Sequence, residues 1–468
     1  MNNFIMYGSA IVAVILVVYM LIKKMDIKIT LFATGIILLY IAILMGNGLG
    51  IKDFASTKSW ILDPLKVTAD IFKSTLNGAG FVILILGGYA AYMSKIGAND
   101  VTVSVLTKPI SKVKSPYVLV PIVFLIGNML SLVVPSASNL AIILLATLYP
   151  VLKKSGMSTL TAAAVIATTA TVMPTPLGAD NVAIAKELAK FPAFSGMTVT
   201  DYVVNYHALV SIPTLFVMAV LHYFWQKYMD KKTLNLAVDE EIEVKNIEEV
   251  KGSALFKTVY ALLPLLPILL LIAMYLTKSK ISLSVEVASI VSFIVAIICE
   301  LVRYKGNKKV LDDTESFFKG MANGMSIVAL LVAASVFVQG LQSIGLIKTL
   351  QTAMTSTQGT GMGIILPLIL VVLTLVIVLL SGSGTALFYA MVPLMVPLAE
   401  AAGISPIALS VPMGLAGNLM RAVSPVAAVV VIVAGTTKKP ALEIVKRTAV
   451  PMIGGVIFMF IASMILFL

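Results

Sequence analysis

Two charged side chains, Asp180 and Arg421, stand inside long apolar stretches of this sequence, each beside residues that break a helix. Asp180-Asn181 follows Met173-Pro174-Thr175-Pro176-Leu177-Gly178, where the prolines remove amide donors and leave carbonyls exposed. Arg421 follows Gly417-Asn418 and precedes Ser424-Pro425, which reads as an N-cap serine before a proline at the first position of a new helix. Two clusters of small polar residues, Pro135-Ser136-Ala137-Ser138-Asn139 and Ser381-Gly382-Ser383-Gly384-Thr385, also interrupt apolar regions. Ser138 or Asn139 in the first, and Ser383 or Thr385 in the second, can start helices in the same way. A helix N-terminus offers free amides and about half a positive charge. Up to four such ends beside an arginine fork suit an anion, above all one with a carboxylate at each end. The candidate binding set is Ser136, Ser138, Asn139, Thr175, Ser381, Gly382, Ser383, Gly384, Thr385, Asn418, Arg421 and Ser424.

Asp180 has two readings. With Asn181, Pro176 and Gly178 it holds a coupling cation, Na+ or H+, or it is a plain N-cap on the helix that follows. Arg421 likewise either binds the anion, or pairs with Asp180 or caps the carbonyls of Leu419 and its neighbours. Catalysis has less material. A single cysteine, Cys299, excludes a disulfide framework and a Cys-based metal site. The two histidines, His207 and His222, lie on neither broken element, and Asp180 has no acidic partner nearby, so an intramembrane hydrolase lacks its base or its carboxylate pair. The expectation is a chain with no cofactor and no enzymatic activity.

The elements that position these residues are membrane spans. Of 468 residues, 59 % are hydrophobic and 12 % charged, and the mean hydropathy is +1.03, far from the roughly 25 % charged residues of soluble domains. Runs long enough to span cover 3–22, 28–46, 79–95, 157–185, 200–224, 254–276, 281–303, 324–345, 405–435 and 447–468. The first run lacks a cleavage site and reads as a retained helix. Regions 117–152 and 362–399 are paired apolar arms joined by the two polar clusters, which predicts re-entrant hairpins whose tips line a cavity. With the N-terminus outside and ten crossings, 24 of the 34 Lys and Arg fall on the cytoplasmic side, nine fall outside, and Arg421 lies within the membrane. Both termini are therefore expected outside. The net charge of +12 reports this topology rather than a nucleic-acid partner. Residues 226–253, rich in Asp and Glu, read as a cytoplasmic connector.

Sliding the chain on itself by 247 positions aligns Ser136 with Ser383, Leu140 with Leu387, Pro150 with Pro397, Gly156 with Gly403, Ser158 with Ser405 and Met173 with Met420. Phe72-Lys73 and Asn77-Gly78 match Phe318-Lys319 and Asn323-Gly324 at 246, and Ile96-Gly97 matches Ile344-Gly345 at 248. Each half then holds five crossings and one hairpin, and an odd number inverts the second half. The predicted fold is an all-α polytopic membrane protein of two inverted repeats, 1–225 and 254–468, with interrupted helices, the pattern of secondary transporters. A channel remains an alternative that single-channel conductance would reveal.

The hairpin tips, each followed by an apolar arm ending in proline and then Gly-x-Ser, resemble those of the ion transporter superfamily, which includes divalent-anion/sodium symporters. A closer resemblance spans nearly the whole chain: Gly88-Tyr89-Ala90-Ala91-Tyr92-Met93, Ile96-Gly97-Ala98-Asn99-Asp100, Lys108-Pro109, Ser115-Pro116-Tyr117, Phe224-Trp225-Gln226, Gly382-Ser383-Gly384, Asn418-x-x-Arg421 and Val445-Lys446-Arg447-Thr448. Together these look like the DcuC family of C4-dicarboxylate carriers. The resemblance implies a bacterial inner-membrane carrier of succinate, fumarate or malate in anaerobic metabolism, working as an exchanger or with a coupling cation. It also implies an elevator, in which early spans of each repeat form a dimerising scaffold while hairpins and broken helices slide with the substrate. A carrier of another carboxylate or an amino acid is the alternative reading.

Overall fold

The computed structural model describes residues 2–23, 25–49, 54–108, 115–233, 253–278, 283–349 and 362–468, with positions 51, 110, 113 and 281 between them. Most of the acidic connector, 234–252, lies outside the described residues, as do Lys24, Lys112 and Lys114 of the basic loops. Among the described residues all regular structure is helical. The first half runs α1 (Asn2–Ile22), α2 (Ile27–Leu44) and α3 (Asp63–Thr75), which passes through a π-helical turn (Leu76–Gly80) into α4 (Phe81–Lys95). There follow α5 (Ala98–Thr107), α6 (Pro116–Leu130), α7 (Ala137–Thr147), α8 (Tyr149–Lys154), α9 (Thr159–Ala167), α10 (Ala179–Leu188), α11 (Val199–Tyr202) and α12 (Ala208–Thr233). The second half runs α13 (Ala254–Leu262), α14 (Leu266–Leu276), α15 (Val285–Arg303), α16 (Lys309–Asp313), α17 (Glu315–Ser343), α18 (Ile365–Ser381), α19 (Thr385–Ala401), α20 (Pro406–Met420), α21 (Ala428–Thr437) and α22 (Ala441–Phe467).

Among the described residues eight helical stretches are long and apolar enough to cross a membrane, and they cover eight of the ten runs read from the sequence. The run at 3–22 forms α1, while 157–185 is not one helix. There α9 stops at Ala167 and α10 starts at Ala179, with the two prolines in the gap. Side-chain caps begin several helices without spending charge in the apolar layer. Ser158 accepts from Thr161 N at 3.2 Å, Ser253 from Phe256 N at 3.2 Å, and Asp26, at a chain reversal, from Lys28 N at 2.9 Å. Large apolar side chains such as Ile11, Ile15, Ile298, Val302, Ile461 and Ile465 point outward. Such a surface is stable against hydrocarbon and unfavourable against water.

The longest helix, α17, packs against both α2 and α4, and glycines let the backbones approach. A Cβ at Gly320 would lie 2.3 Å from Ala91 Cβ and 2.7 Å from Gly87 O, so any side chain there forces α17 away from α4. Gly320→Val should cost about 1–3 kcal/mol by overpacking, read as a lower unfolding midpoint in detergent. Gly8→Val should leave it unchanged, since a Cβ at Gly8 meets nothing within 4 Å.

A buried ion pair fixes the other side of the bundle. Arg447 on α22, 1 % exposed, donates to Asp230 on α12 and, at 3.1 Å, to Thr161 on α9. Ser158 donates to the same carboxylate at 2.8 Å, and Gln226 Nε2 donates to Arg447 O at 2.8 Å. One charge pair with its remaining valences satisfied thus ties three helices together.

Candidate functional site

Two hairpins and two broken helices meet at the site. In the first hairpin, α6 ends at Leu130 and α7 begins after Ser136, whose hydroxyl accepts from Asn139 N at 3.4 Å. The cap is therefore Ser136, and Ser138 and Asn139 fall inside the first turn instead of starting it. In the second hairpin, α18 closes at Gly382 with φ +77°, a left-handed conformation that suits glycine, and a Cβ there would lie 2.7 Å from Val426 O. Gly384 is the cap residue of α19 without a side-chain contact, while the Ser383 and Thr385 hydroxyls bond each other at 2.8 Å. Ser381 Oγ donates to Ile377 O at 2.8 Å and accepts from Ser383 N at 3.2 Å, so it shapes the tip. Gly384 also seats this tip on α20, since a Cβ there would lie 2.8 Å from Gly417 Cα.

The break after α20 corrects another expectation. Ser424-Pro425 does not start a helix. Residues 424–427 form a turn, with Ala427 N donating to Ser424 O at 3.1 Å, and α21 begins at Ala428. The Ser424 hydroxyl donates instead to Leu379 O at 3.0 Å, binding the break to α18. In the first break, Gly178 precedes α10 as its cap residue and Asp180 sits in the first turn, so the plain N-cap reading of Asp180 does not hold. Asn181 Nδ2 donates to Thr175 O at 2.9 Å, closing the proline loop on itself, and Thr175 Oγ1 accepts from Leu177 N at 3.1 Å. The loop is anchored from α6 by Asn128, which the sequence reading passed over. Its Oδ1 accepts from Thr171 N at 3.0 Å and Thr171 Oγ1 at 2.7 Å, and its Nδ2 donates to Phe124 O and Thr168 O.

These elements enclose a cavity of about 460 Å³. Of the candidate residues, Ser136, Thr175, Gly178, Asp180, Gly384, Thr385, Asn418 and Arg421 line it. Ser138, Asn139, Pro176, Asn181, Ser381, Gly382, Ser383 and Ser424 are not part of that lining. Three helix N-termini, those of α7, α10 and α19, reach the cavity, against the four allowed by the sequence, because α21 starts further along the chain. Their partial charges add to that of the guanidinium. Arg421 donates to Asn418 Oδ1, and Asn418 Nδ2 donates to Asp180 Oδ2 at 3.0 Å. The arginine and the aspartate are thus joined through an amide rather than in direct contact, and among the described residues the Arg421 guanidinium has no other hydrogen-bond partner. The facing wall is α4 and α17, with Ile83, Leu86, Met93 and Ile327, and Phe388 and Tyr389 of α19 add aromatic surface.

Neither histidine lines the cavity. His207 Nδ1 meets Ser211 Oγ at 3.1 Å, and His222 Nδ1 meets Gln226 Nε2 at 3.4 Å, both buried between helices. Among the described residues no three His, Cys, Asp or Glu side chains are placed to hold a metal ion.

A multi-pass helical bundle with broken helices around a cavity lined by Arg421, Asp180 and three helix N-termini has the build of a membrane transporter. The chain belongs to the DcuC family, the C4-dicarboxylate anaerobic carriers, whose family model matches residues 7–468. It is similar to the anaerobic C4-dicarboxylate transporter DcuC of Escherichia coli (strain K12), 35 % identical over 466 residues that cover 99 % of this chain and 97 % of that protein. It is also similar to the probable anaerobic C4-dicarboxylate transporter DcuC of Vibrio cholerae, 36 % identical over 439 residues, 93 % of this chain and 92 % of that one. This chain is accordingly a transporter and not an enzyme. Among solved structures the fold is shared with the Alcanivorax borkumensis YdaH transporter, with a TM-score of 0.67 at 16 % identity, covering 93 % of this chain and 97 % of that one. It is shared also with Neisseria gonorrhoeae MtrF, with a TM-score of 0.57 at 15 % identity, covering 93 % and 94 %.

Proposed function

We propose that this chain carries C4-dicarboxylates, with succinate, fumarate and malate as substrates, across the bacterial inner membrane by elevator-type alternating access, as an exchanger or with a coupling cation. The observation that carries the reading is the convergence on one cavity of Arg421 and the N-termini of α7, α10 and α19. A dianion must replace two hydration shells to enter, and a guanidinium fork with three sets of amide donors supplies that replacement. Thr385 and Ser136 add hydroxyl donors from the two tips, so one carboxylate sits on Arg421 and the other between the tips. The names of the related carriers point to the same substrate class.

The elevator reading rests on the contrast between the walls. One side is glycine-packed α17 with α2 and α4; the other is hairpin tips and broken helices held together by Asn128, Ser424 and Gly384. In this reading the first side belongs to a scaffold that forms a homodimer, and the second slides. The chain halves 1–225 and 254–468 are inverted repeats, both termini lie outside, and the connector 226–253 is cytoplasmic. Asp180, joined to Arg421 through Asn418, is our candidate for the coupling proton or Na+, with Gly178, Pro176 and Asn181 around it.

A second reading draws on the same pair. A carboxylate and a guanidinium on one cavity wall also suit the ammonium and carboxylate of an amino acid. Liposomes containing the purified protein and preloaded with succinate should take up labelled succinate saturably, and fumarate outside should compete. Imposed sodium or proton gradients replacing the internal succinate identify the coupling. Uptake no faster than into protein-free liposomes under every gradient would overturn the dicarboxylate assignment, and competition by aspartate but not by fumarate would favour the amino-acid reading.

A further inference from the structure

Among the described residues Asp180 and Arg421 are the only charged side chains that line the cavity, and Asn418 stands between them. Close packing fixes the backbone on either side of this amide. A Cβ at Gly414, one turn before Asn418 on α20, would lie 2.9 Å from Cδ1 of Ile184, which is one turn after Asp180 on α10. Gly417, just before Asn418, faces the second tip, where a Cβ would lie 3.4 Å from Gly384 Cα. What is left to move is the side chain itself, a planar amide with an acceptor at one end and two donors at the other.

The neighbours dictate which end points where. A guanidinium only donates and an ionised carboxylate only accepts, so Asn418 has to turn Oδ1 to Arg421 and Nδ2 to Asp180. It does so, with Nδ2 3.0 Å from Asp180 Oδ2. The two carboxylate oxygens are not equivalent. Asp180 Oδ1 accepts from Asn181 N at 3.0 Å, a backbone donor of its own helix that cannot turn away. Oδ2 is the oxygen that meets Asn418. Any change that makes a donor of the Oδ2 position, or sets a cation on it, therefore calls for an oxygen from Asn418 where it now presents an NH2.

We propose that Asn418 is the positioning residue that couples Asp180 to the dicarboxylate, by turning its amide over. The inference rests on the dicarboxylate reading of the cavity. With Asp180 charged and bare, Asn418 occupies an N–H of Arg421 and sets a carbonyl oxygen beside the place where the substrate carboxylate lands, which opposes its arrival. With the Oδ2 position occupied, Asn418 Oδ1 swings to it and Nδ2 comes round to the guanidinium side. The N–H of Arg421 is released, and Nδ2 becomes a further donor beside it. A carboxylate has room for both, since its two oxygens offer about four lone-pair sites. Loading at Asp180 and binding at Arg421 thus favour each other, and by linkage each raises the affinity for the other by the same factor.

Two variants that both delete the Asp180 charge test this, because their difference cancels its through-space effect on the substrate. In Asp180→Asn the side-chain oxygen stays on Asn181 N and an NH2 replaces Oδ2, which turns Asn418 over, whereas Asp180→Ala offers Asn418 nothing. Calorimetric titration of the purified proteins with succinate should show Asp180→Asn binding about tenfold more tightly than Asp180→Ala, the value of one hydrogen bond to a charged group. Adding Asn418→Leu, similar in size but without donor or acceptor, should make the two bind alike. If Asn418→Leu protein is not monodisperse, Asn418→Ala takes its place and the same equality is expected. Equal affinities with Asn418 intact, or a gap that survives loss of the amide, overturns the proposal. The parent, titrated alongside, separates this failure from failure of the dicarboxylate reading. A parent that does not bind succinate brings down that reading and this inference with it, whereas a parent that binds while the contrast fails removes only the role of Asn418.

Discussion

Arg421→Lys protein should remain monodisperse yet bind succinate about ten- to a hundredfold more weakly than the parent. Lysine keeps the charge but loses the planar fork, and with it two parallel hydrogen bonds to one carboxylate. The loss expected for a charge-assisted bond is about 1.5–3 kcal/mol, which sets that range. The effect should be on affinity rather than folding, because Arg421 reaches only Asn418 among the described residues and otherwise faces the cavity. Titration of the purified variant by calorimetry or scintillation proximity reads it. A variant that binds as tightly as the parent would leave Arg421 as a structural partner of Asn418 and Asp180, and Asp180→Asn should then destabilise the fold.

Arg447→Ala should have the opposite profile. Removing the guanidinium strands Asp230 in a site where Ser158 and Thr161 were arranged around a paired charge. Breaking one partner of a buried pair costs about 3–5 kcal/mol. Thermal unfolding in detergent should show a large loss, and the surviving folded fraction should bind succinate as the parent does, since Arg447 does not line the cavity. Asp230→Ala in the same chain should restore part of the stability by removing the stranded charge. A single variant as stable as the parent would contradict the assignment.

The broken helices were legible because their causes are local: Pro174 and Pro176 withdraw amide donors, and no neighbour can restore a continuous α9–α10. The polar tips were legible for a similar reason, since small polar residues between short apolar arms have no place against lipid. Helix starts were read less well. Ser424-Pro425 has the right residues for a cap, but the Ser424 hydroxyl is taken by Leu379, 45 residues earlier, and a turn to Ala427 intervenes. Ser138 and Asn139 lost the cap position to Ser136, two or three residues away, within the usual uncertainty of a helix boundary. Asp180 and Arg421 were recognised as a related pair, but the amide of Asn418 between them is a matter of tertiary geometry. The Arg447–Asp230 pair was hidden because 217 residues separate its members; only the short motif around Arg447 hinted at it.

The claim at the centre of this account is that the tips and broken helices carry the dicarboxylate site across the bilayer past a fixed α4/α17 wall. Labelling of single cysteines with a membrane-impermeant thiol reagent, in Cys299→Ser protein under succinate gradients of either direction, tests it directly. A cysteine at Ser136, on the first tip, should be reached from the cytoplasm under one gradient and from outside under the other, while one at Gly8 on α1 should not change. Accessibility that stays the same at both positions would contradict the elevator and favour a rocking or channel mechanism.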